Sequence, residues 1–159
     1  MALIADIPEY KKLIQGIEVM AIDRTLYKRL GGKDTFIKVH KIFYDKAYAD
    51  PWLSKYFTDK PQEMLEDQQT DFMMQIMGGP RAYAGKTPKS AHQNMVITEE
   101  LFELRAQMLS DSIKEAGISD ELREEWLAVD ATVKRALIKT SEDQCVRAYP
   151  TQPILNFSK

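Results

Sequence analysis

One cysteine and two histidines in 159 residues remove several kinds of chemistry before any pattern is read. A single thiol closes no intramolecular disulfide and builds no thiolate cluster for zinc or iron–sulfur, and two imidazoles leave no multi-histidine metal centre. Any metal must then be held by one histidine or by carboxylates. Charge of one sign is also lacking: 22 Lys and Arg oppose 24 Asp and Glu, without the basic excess that displaces counterions from a nucleic-acid backbone. Nucleic acid is therefore not an expected partner. No run reaches the roughly 20 apolar residues of a membrane-spanning helix, and Asp6, Glu9, Lys11 and Lys12 interrupt the apolar positions of the N-terminal segment. That segment does not read as a signal peptide, so the expectation is one globular domain in a reducing cytoplasm.

Breakers are few and unevenly placed. Gly31-Gly32 and Gly78-Gly79-Pro80 punctuate the first half, whereas between Lys89 and Tyr149 there is no proline and only Gly117, room for two long helices. Apolar residues recur at spacings of three and four in every long segment, and strict alternation is absent, which predicts an all-α fold. An amphipathic helix is expected over 8–22, carrying Tyr10, Leu13, Ile14, Ile17 and Met20, and a short one over 25–30. A third, over 34–47 with Asp34 as N-cap, aligns Phe36, His40, Phe43, Tyr44 and Ala47. Trp52, Leu53, Tyr56 and Phe57 form an aromatic corner after Asp50-Pro51. Pro61 suits the first turn of a helix lined by Leu65, Gln69, Phe72, Met73 and Ile76 and ended by Gly78. Thr87-Pro88 opens a short helix bearing His92, Thr98 caps a long one to Gly117, and Ser119 caps the last, striped by Leu122, Trp126, Val129, Val133 and Leu137. The segment over 141–159, with Pro150 and Pro153, reads as an extended or mobile tail.

His92 lies four residues after Pro88, whose carbonyl can accept one ring N–H and fix the other nitrogen as a metal ligand. A solvated or capping histidine fits the same spacing. One imidazole is enough for a planar iron cofactor, and with no Cys-x-x-Cys-His such a haem would lack thioether links. Tyr44 and Gln69 are polar groups on apolar helical faces, where each needs a partner. They read either as an interhelical hydrogen bond or as donors aimed at a polar ligand in a dry pocket.

The ordered motifs Leu26-Tyr27-Lys28-Arg29-Leu30-Gly31-Gly32, Phe43-Tyr44-Asp45, Tyr56-Phe57, Phe72 with Gly78-Gly79-Pro80, Tyr83 and Gly85, then Ala91-His92-Gln93 and Ile97-Thr98 resemble the truncated haemoglobins. The likeness runs from about Thr25 to Ile138, and Tyr44 with Leu65 and Gln69 is most similar to the first group of that family. It implies a shortened globin fold, two helices over two, with three parts: an N-terminal extension over 1–24, a globin domain over 25–140 and a tail over 141–159. It also implies haem b held non-covalently by His92 as iron ligand. Tyr44 would be the distal tyrosine, Phe57 would pack on the haem, and Phe43, Leu65, Gln69, Phe72, Tyr83, Lys86, Met95 and Phe102 would complete the cofactor site. Lys86, with Arg81 and Lys89, is a candidate partner for the haem propionates, although surface cations often contribute nothing.

Gln68 stands where some relatives place a second iron-binding histidine, and His40, one turn before Tyr44, reads as a core histidine, with a second iron ligand as the alternative. Met73, Met74 and Met77 read as core filling, and Cys145 as an idle thiol. The expected ligands are O2, NO and CO. Tyr44 and Gln69 would act in nitric oxide dioxygenation, with electrons from an external reductase. A reversible oxygen carrier or sensor fits the same residues, and a cofactor-free helical interaction module remains the reading from another class. The front helix is expected to dock on its own domain or on a second copy, making a monomer or homodimer.

Overall fold

In a computed structural model of the chain, residues 22–159 are described; the helix expected over 8–22 lies outside them apart from Ile22. The described residues form seven α-helices: α1 (Leu26–Arg29), α2 (Lys33–Ala49), α3 (Gln62–Ile76), α4 (Pro88–Ala91), α5 (Glu99–Glu115), α6 (Asp120–Ala131) and α7 (Lys134–Leu137). Two 3-10 turns, Leu53–Phe57 and Glu142–Gln144, complete them. The only extended pairings among these residues are isolated bridges, Met95 with Leu155 and Ile97 with Ile138. The all-α expectation therefore holds. Helix α2 packs on both α3 and α5, and α5 on α6, while α4 meets α7.

Helix α2 begins at Lys33 rather than Asp34, and its N-cap is Gly32 at φ 83°. The left-handed backbone that turns the chain out of α1 suits glycine at that position. Asp34 falls instead in the first turn, where its charge faces the positive helix end. Pro61 is likewise the N-cap and not a first-turn residue. Thr87, Thr98 and Ser119 cap as expected, accepting from the N–H groups of Ser90, Leu101 and Leu122 at 3.2, 3.2 and 3.3 Å.

The single last helix expected to run to Leu137 is broken. The Thr132 hydroxyl donates to the Val129 carbonyl at 2.7 Å, and the Val133 N–H turns back to Asp130 O at 3.3 Å, a tighter turn that ends α6. Gly78, at φ 98°, ends α3 against α1: a Cβ there would run into the Arg24 carbonyl oxygen. Trp126 and Phe36, both at 0 % exposure, pack as tilted rings with centroids 4.8 Å apart in a core shared by Met73, Met74 and Met77. Truncating such a tryptophan to alanine costs about 3–5 kcal/mol.

The tail is docked. The Val96 N–H donates to Leu155 O and the Leu155 N–H to Asn94 O, both at 2.8 Å, and the Val146 N–H to Gln93 O at 2.7 Å. Asn94 Nδ2 holds the Pro153 carbonyl at 3.0 Å, and Trp52 Nε1 holds that of Phe157 at 2.8 Å. The tail is thus a strap along the segment that follows His92. A proline-bearing run with few apolar residues gives no periodic signal for such pairing, because its bonds are made by backbone groups.

Candidate functional site

Helices α2, α3 and α5, the aromatic corner and the segment through His92 surround one cavity of about 990 Å³, part of it continuous with solvent. Its apolar walls include Phe43, Phe57, Phe72, Tyr83, Met95 and Phe102, and Tyr44, Gln69 and His92 also face it. Leu65 and Lys86 do not line it: Leu65 is half-buried against the core, and Lys86 is exposed, its carbonyl accepting from the Tyr83 hydroxyl at 2.6 Å. Arg81 and Lys89 are exposed as well.

His92 is fixed from behind. Its Nδ1 lies 2.7 Å from the Pro88 carbonyl. Because a carbonyl only accepts, Nδ1 carries the hydrogen, and in the neutral ring Nε2 keeps its lone pair. Burial pushes the imidazole below its ordinary pKa, more than the Pro88 bond raises it, so the ring is held neutral, the form that ligates metal. Lys139 Nζ donates to the His92 carbonyl at 3.0 Å. With the strap hydrogen bonds at Gln93, Asn94 and Val96, these contacts leave the ring little freedom to turn.

Tyr44, on α2, lines the same cavity and is 8 % exposed, its ring 4.9 Å from Phe43 and 6.2 Å from Phe57. Burial raises its hydroxyl well above the usual tyrosine range, so it is a neutral O–H donor at physiological pH. Neither that hydroxyl nor the Gln69 amide hydrogen-bonds to any described residue. Gln75, three residues before Gly78, takes the structural role instead, accepting from the Tyr83 N–H at 3.2 Å.

His40 does not line the cavity. It is 1 % exposed, its Nδ1 is 2.7 Å from Thr70 Oγ1, and its ring stands edge-on to Trp126 at 5.7 Å. Burial, aided by the charge of Arg105, pushes its pKa down to about 3. The charged residues that sequence reasoning passed over are Arg105 and Asp130, which also line the cavity and form an ion pair at 2.7 Å. Their signal was available: each is a charge inside an apolar stripe, Arg105 four residues after Leu101 and Asp130 four after Trp126.

A long, largely apolar cavity with one neutral, backbone-anchored imidazole on its wall and uncommitted donors across from it is the arrangement of a globin. The Bacterial-like globin family model matches residues 25–138, and the chain belongs to that family. More narrowly, it is similar to group 1 truncated haemoglobins. It is 33% identical to that of Tetrahymena thermophila over 62% of this chain and 81% of the relative. With that of Mycolicibacterium paratuberculosis the identity is 35%, over 67% and 79% of the two chains. The ferric truncated haemoglobin of Tetrahymena pyriformis superposes with a TM-score of 0.66 at 30% identity, covering 72% of this chain and 98% of that one. The cyanomet 2/2 haemoglobin of a Synechococcus species, which carries covalently attached haem, gives 0.64 at 27% identity over 70% and 94%.

Membership implies haem-based binding of small gaseous ligands. The apolar lining and the Nε2 of His92, left free by the Nδ1 bond to Pro88, fit a haem. Among the described residues no helix is long and apolar enough to cross a membrane, and no cluster of three or more His, Cys, Asp or Glu is placed to hold a metal ion.

Proposed function

We propose that the chain binds haem b without a covalent link, through His92 Nε2, and serves as a nitric oxide dioxygenase that also binds O2 and CO. The observation that carries this reading is the meeting, in one cavity, of an imidazole locked by Pro88 with a Tyr44 hydroxyl and a Gln69 amide that bond to no described residue. Cys145, the only cysteine, is in the tail and does not line the cavity, which supports a haem held without thioether links.

Haem, when bound, supplies an iron that takes a diatomic ligand and exchanges an electron. His92 would hold that iron and, being neutral, would add no charge of its own. Tyr44 would offer its O–H to a ligand atom that carries negative charge, and Gln69 Nε2 would offer a second donor or orient the first. The phenyl rings of Phe43, Phe57 and Phe102 exclude water, which strengthens both bonds. The net reaction, O2 plus NO plus one electron to nitrate, needs a reductase as partner, since no flavin or nicotinamide domain lies within the globin match.

The test begins with an absorption spectrum. Haem addition should give a Soret band, and His92→Ala should abolish normal iron ligation; no Soret band in the unaltered chain would leave the cofactor-free reading. Mixing the oxygenated protein with nitric oxide should then yield stoichiometric nitrate. Release of oxygen without nitrate would instead favour a carrier or sensor. Tyr44→Phe should speed oxygen release by about tenfold or more, the worth of a hydrogen bond to a charged acceptor at about 1.5–3 kcal/mol.

A further inference from the structure

Gas binding gives no role to the two charges in the cavity wall. Arg105, on α5, holds Asp130, on α6, through two parallel bonds, Nη1 to Oδ2 at 2.7 Å and Nη2 to Oδ1 at 2.9 Å. The side chains are 21% and 4% exposed. The guanidinium carbon lies 5.6 Å from the ring centroids of both Phe43 and Phe102. Since the Phe43 ring is itself 4.9 Å from that of Tyr44, the guanidinium and the phenol rest against one aromatic ring.

An ion pair at this depth is a weak source of stability, because desolvation cancels most of the attraction, and apolar residues of equal volume often do as well or better. What the pair does supply is a fixed donor. A guanidinium has five N–H groups, of which Asp130 engages two, so three are left to other partners. Together with the Tyr44 hydroxyl and the Gln69 amide they put uncommitted donors from α2, α3 and α5 on one cavity. Asp130, the one carboxylate lining it, is already bound to Arg105. The one carboxylate of the cavity is thus already engaged, while the guanidinium keeps N–H groups that it does not use.

We propose that Arg105, held in place by Asp130, is an anion-recognising residue of this cavity, donating to a small monovalent anion of the nitrite or azide type beside Tyr44 and Gln69. Asp130 grips the guanidinium along one edge, so the side chain cannot swing to solvent, and it leaves no bare cation when no ligand is present. A diatomic gas is within the reach of Tyr44 and Gln69, whereas an anion of three heavy atoms also carries charge and lone pairs at its far end for Arg105. The inference rests on the haem reading for the near end of the anion; the far end is a matter of this chain's own residues.

The test compares an anionic with a neutral probe on the full haem-loaded chain. Sodium nitrite and sodium azide are titrated against the ferric protein by absorption, and carbon monoxide against the ferrous protein. The paired variant Arg105→Met with Asp130→Leu, which leaves no orphaned charge to unfold the protein, should weaken both anions about tenfold or more and change carbon monoxide affinity less than about twofold. Arg105→Lys, which keeps the charge but loses the fork, should recover part of the loss. Anion affinities within about twofold of the unaltered chain overturn the proposal, and so does an equal fall for anions and carbon monoxide, which would report a damaged pocket. Calorimetric titration of azide into the chain with and without haem separates the two readings. A missing Soret band refutes haem binding, whereas azide heats that are the same in the unaltered chain and the paired variant, whether or not haem is bound, refute a role for Arg105.

Discussion

Replacing Asp130 with leucine should strand a guanidinium inside the protein, and the size of that penalty follows from where it lies. Removing one partner of a buried pair costs about 3–5 kcal/mol. The Arg105 side chain keeps 21% exposure, so partial hydration places the expected loss near the lower end, about 3 kcal/mol. For a chain of this size each kcal/mol moves the midpoint of thermal unfolding by about 2–4 °C, which gives a fall of about 6–12 °C. Arg105→Met alone leaves Asp130, 4% exposed, without its cation and should cost a similar amount. The paired variant removes both charges and should lie within about 1 kcal/mol of the unaltered chain or above it. The assay is urea unfolding at pH 7 followed by tryptophan fluorescence, with all four proteins at the same haem loading so that ligand binding does not shift the comparison. The decisive quantity is the coupling, the amount by which the double change falls short of the two single losses. Single losses below about 1 kcal/mol, or a double loss equal to their sum, would refute the picture of two charges that tolerate burial only together.

His40 should make the fold sensitive to acid. Its folded pKa, pushed down to about 3 from an ordinary 6.5, means that the unfolded chain binds the extra proton first. Stability is then full above about pH 6.5 and falls toward pH 3, at up to about 1.4 kcal/mol per pH unit. His40→Leu should flatten that slope in urea titrations between those limits, although the orphaned Thr70 hydroxyl lowers the baseline; an unchanged slope would refute the assignment. Removing residues 146–159 should release the Val96 and Gln93 pairings, so amide hydrogen exchange over 93–97 should quicken while α2 and α3 stay protected. Gly78→Ala should lower unfolding free energy by more than about 1 kcal/mol, because the added carbon meets the Arg24 carbonyl in a left-handed backbone, and a neutral result would mean that this corner gives way.

Much of this architecture is legible in the sequence because its causes are local. Thr87, Thr98 and Ser119 announce helix starts by side-chain chemistry that acts within three residues, and the spacing from Pro88 to His92 dictates a bond across one helical turn. Where the outcome depends on groups distant in sequence, the pattern is silent. Nothing in the 141–159 segment reveals that its backbone pairs with Gln93, Asn94 and Val96, since any residue can make those bonds. The break after Ala131 is an intermediate case: Thr132 can bond back to a carbonyl in any helix, and it ends this one where Asp130 must also turn toward Arg105. Gln69 was conspicuous as an amide in an apolar stripe. Arg105 and Asp130 break their stripes in the same way, but their meeting depends on how α5 lies on α6, which no spacing within either helix records.

That difference also explains how the two walls of the cavity do different work. The His92 wall is saturated: the ring is tied to Pro88, its carbonyl to Lys139, and the segment beyond it to the strap, so the imidazole is held in one orientation and one protonation state. The Tyr44, Gln69 and Arg105 side of the cavity is left open. The Tyr44 hydroxyl and the Gln69 amide bond to no described residue, and three N–H groups of Arg105 have no claim from Asp130, so a ligand there competes with water and not with the protein. A charged ligand with lone pairs at both ends takes up more of these donors than a neutral one held at a single atom, so selectivity here follows from the donors left over. Adding an acceptor by Gln69→Glu should close the wall on itself, the new carboxylate drawing donors from Tyr44 or Arg105, and azide affinity should then fall more than carbon monoxide affinity.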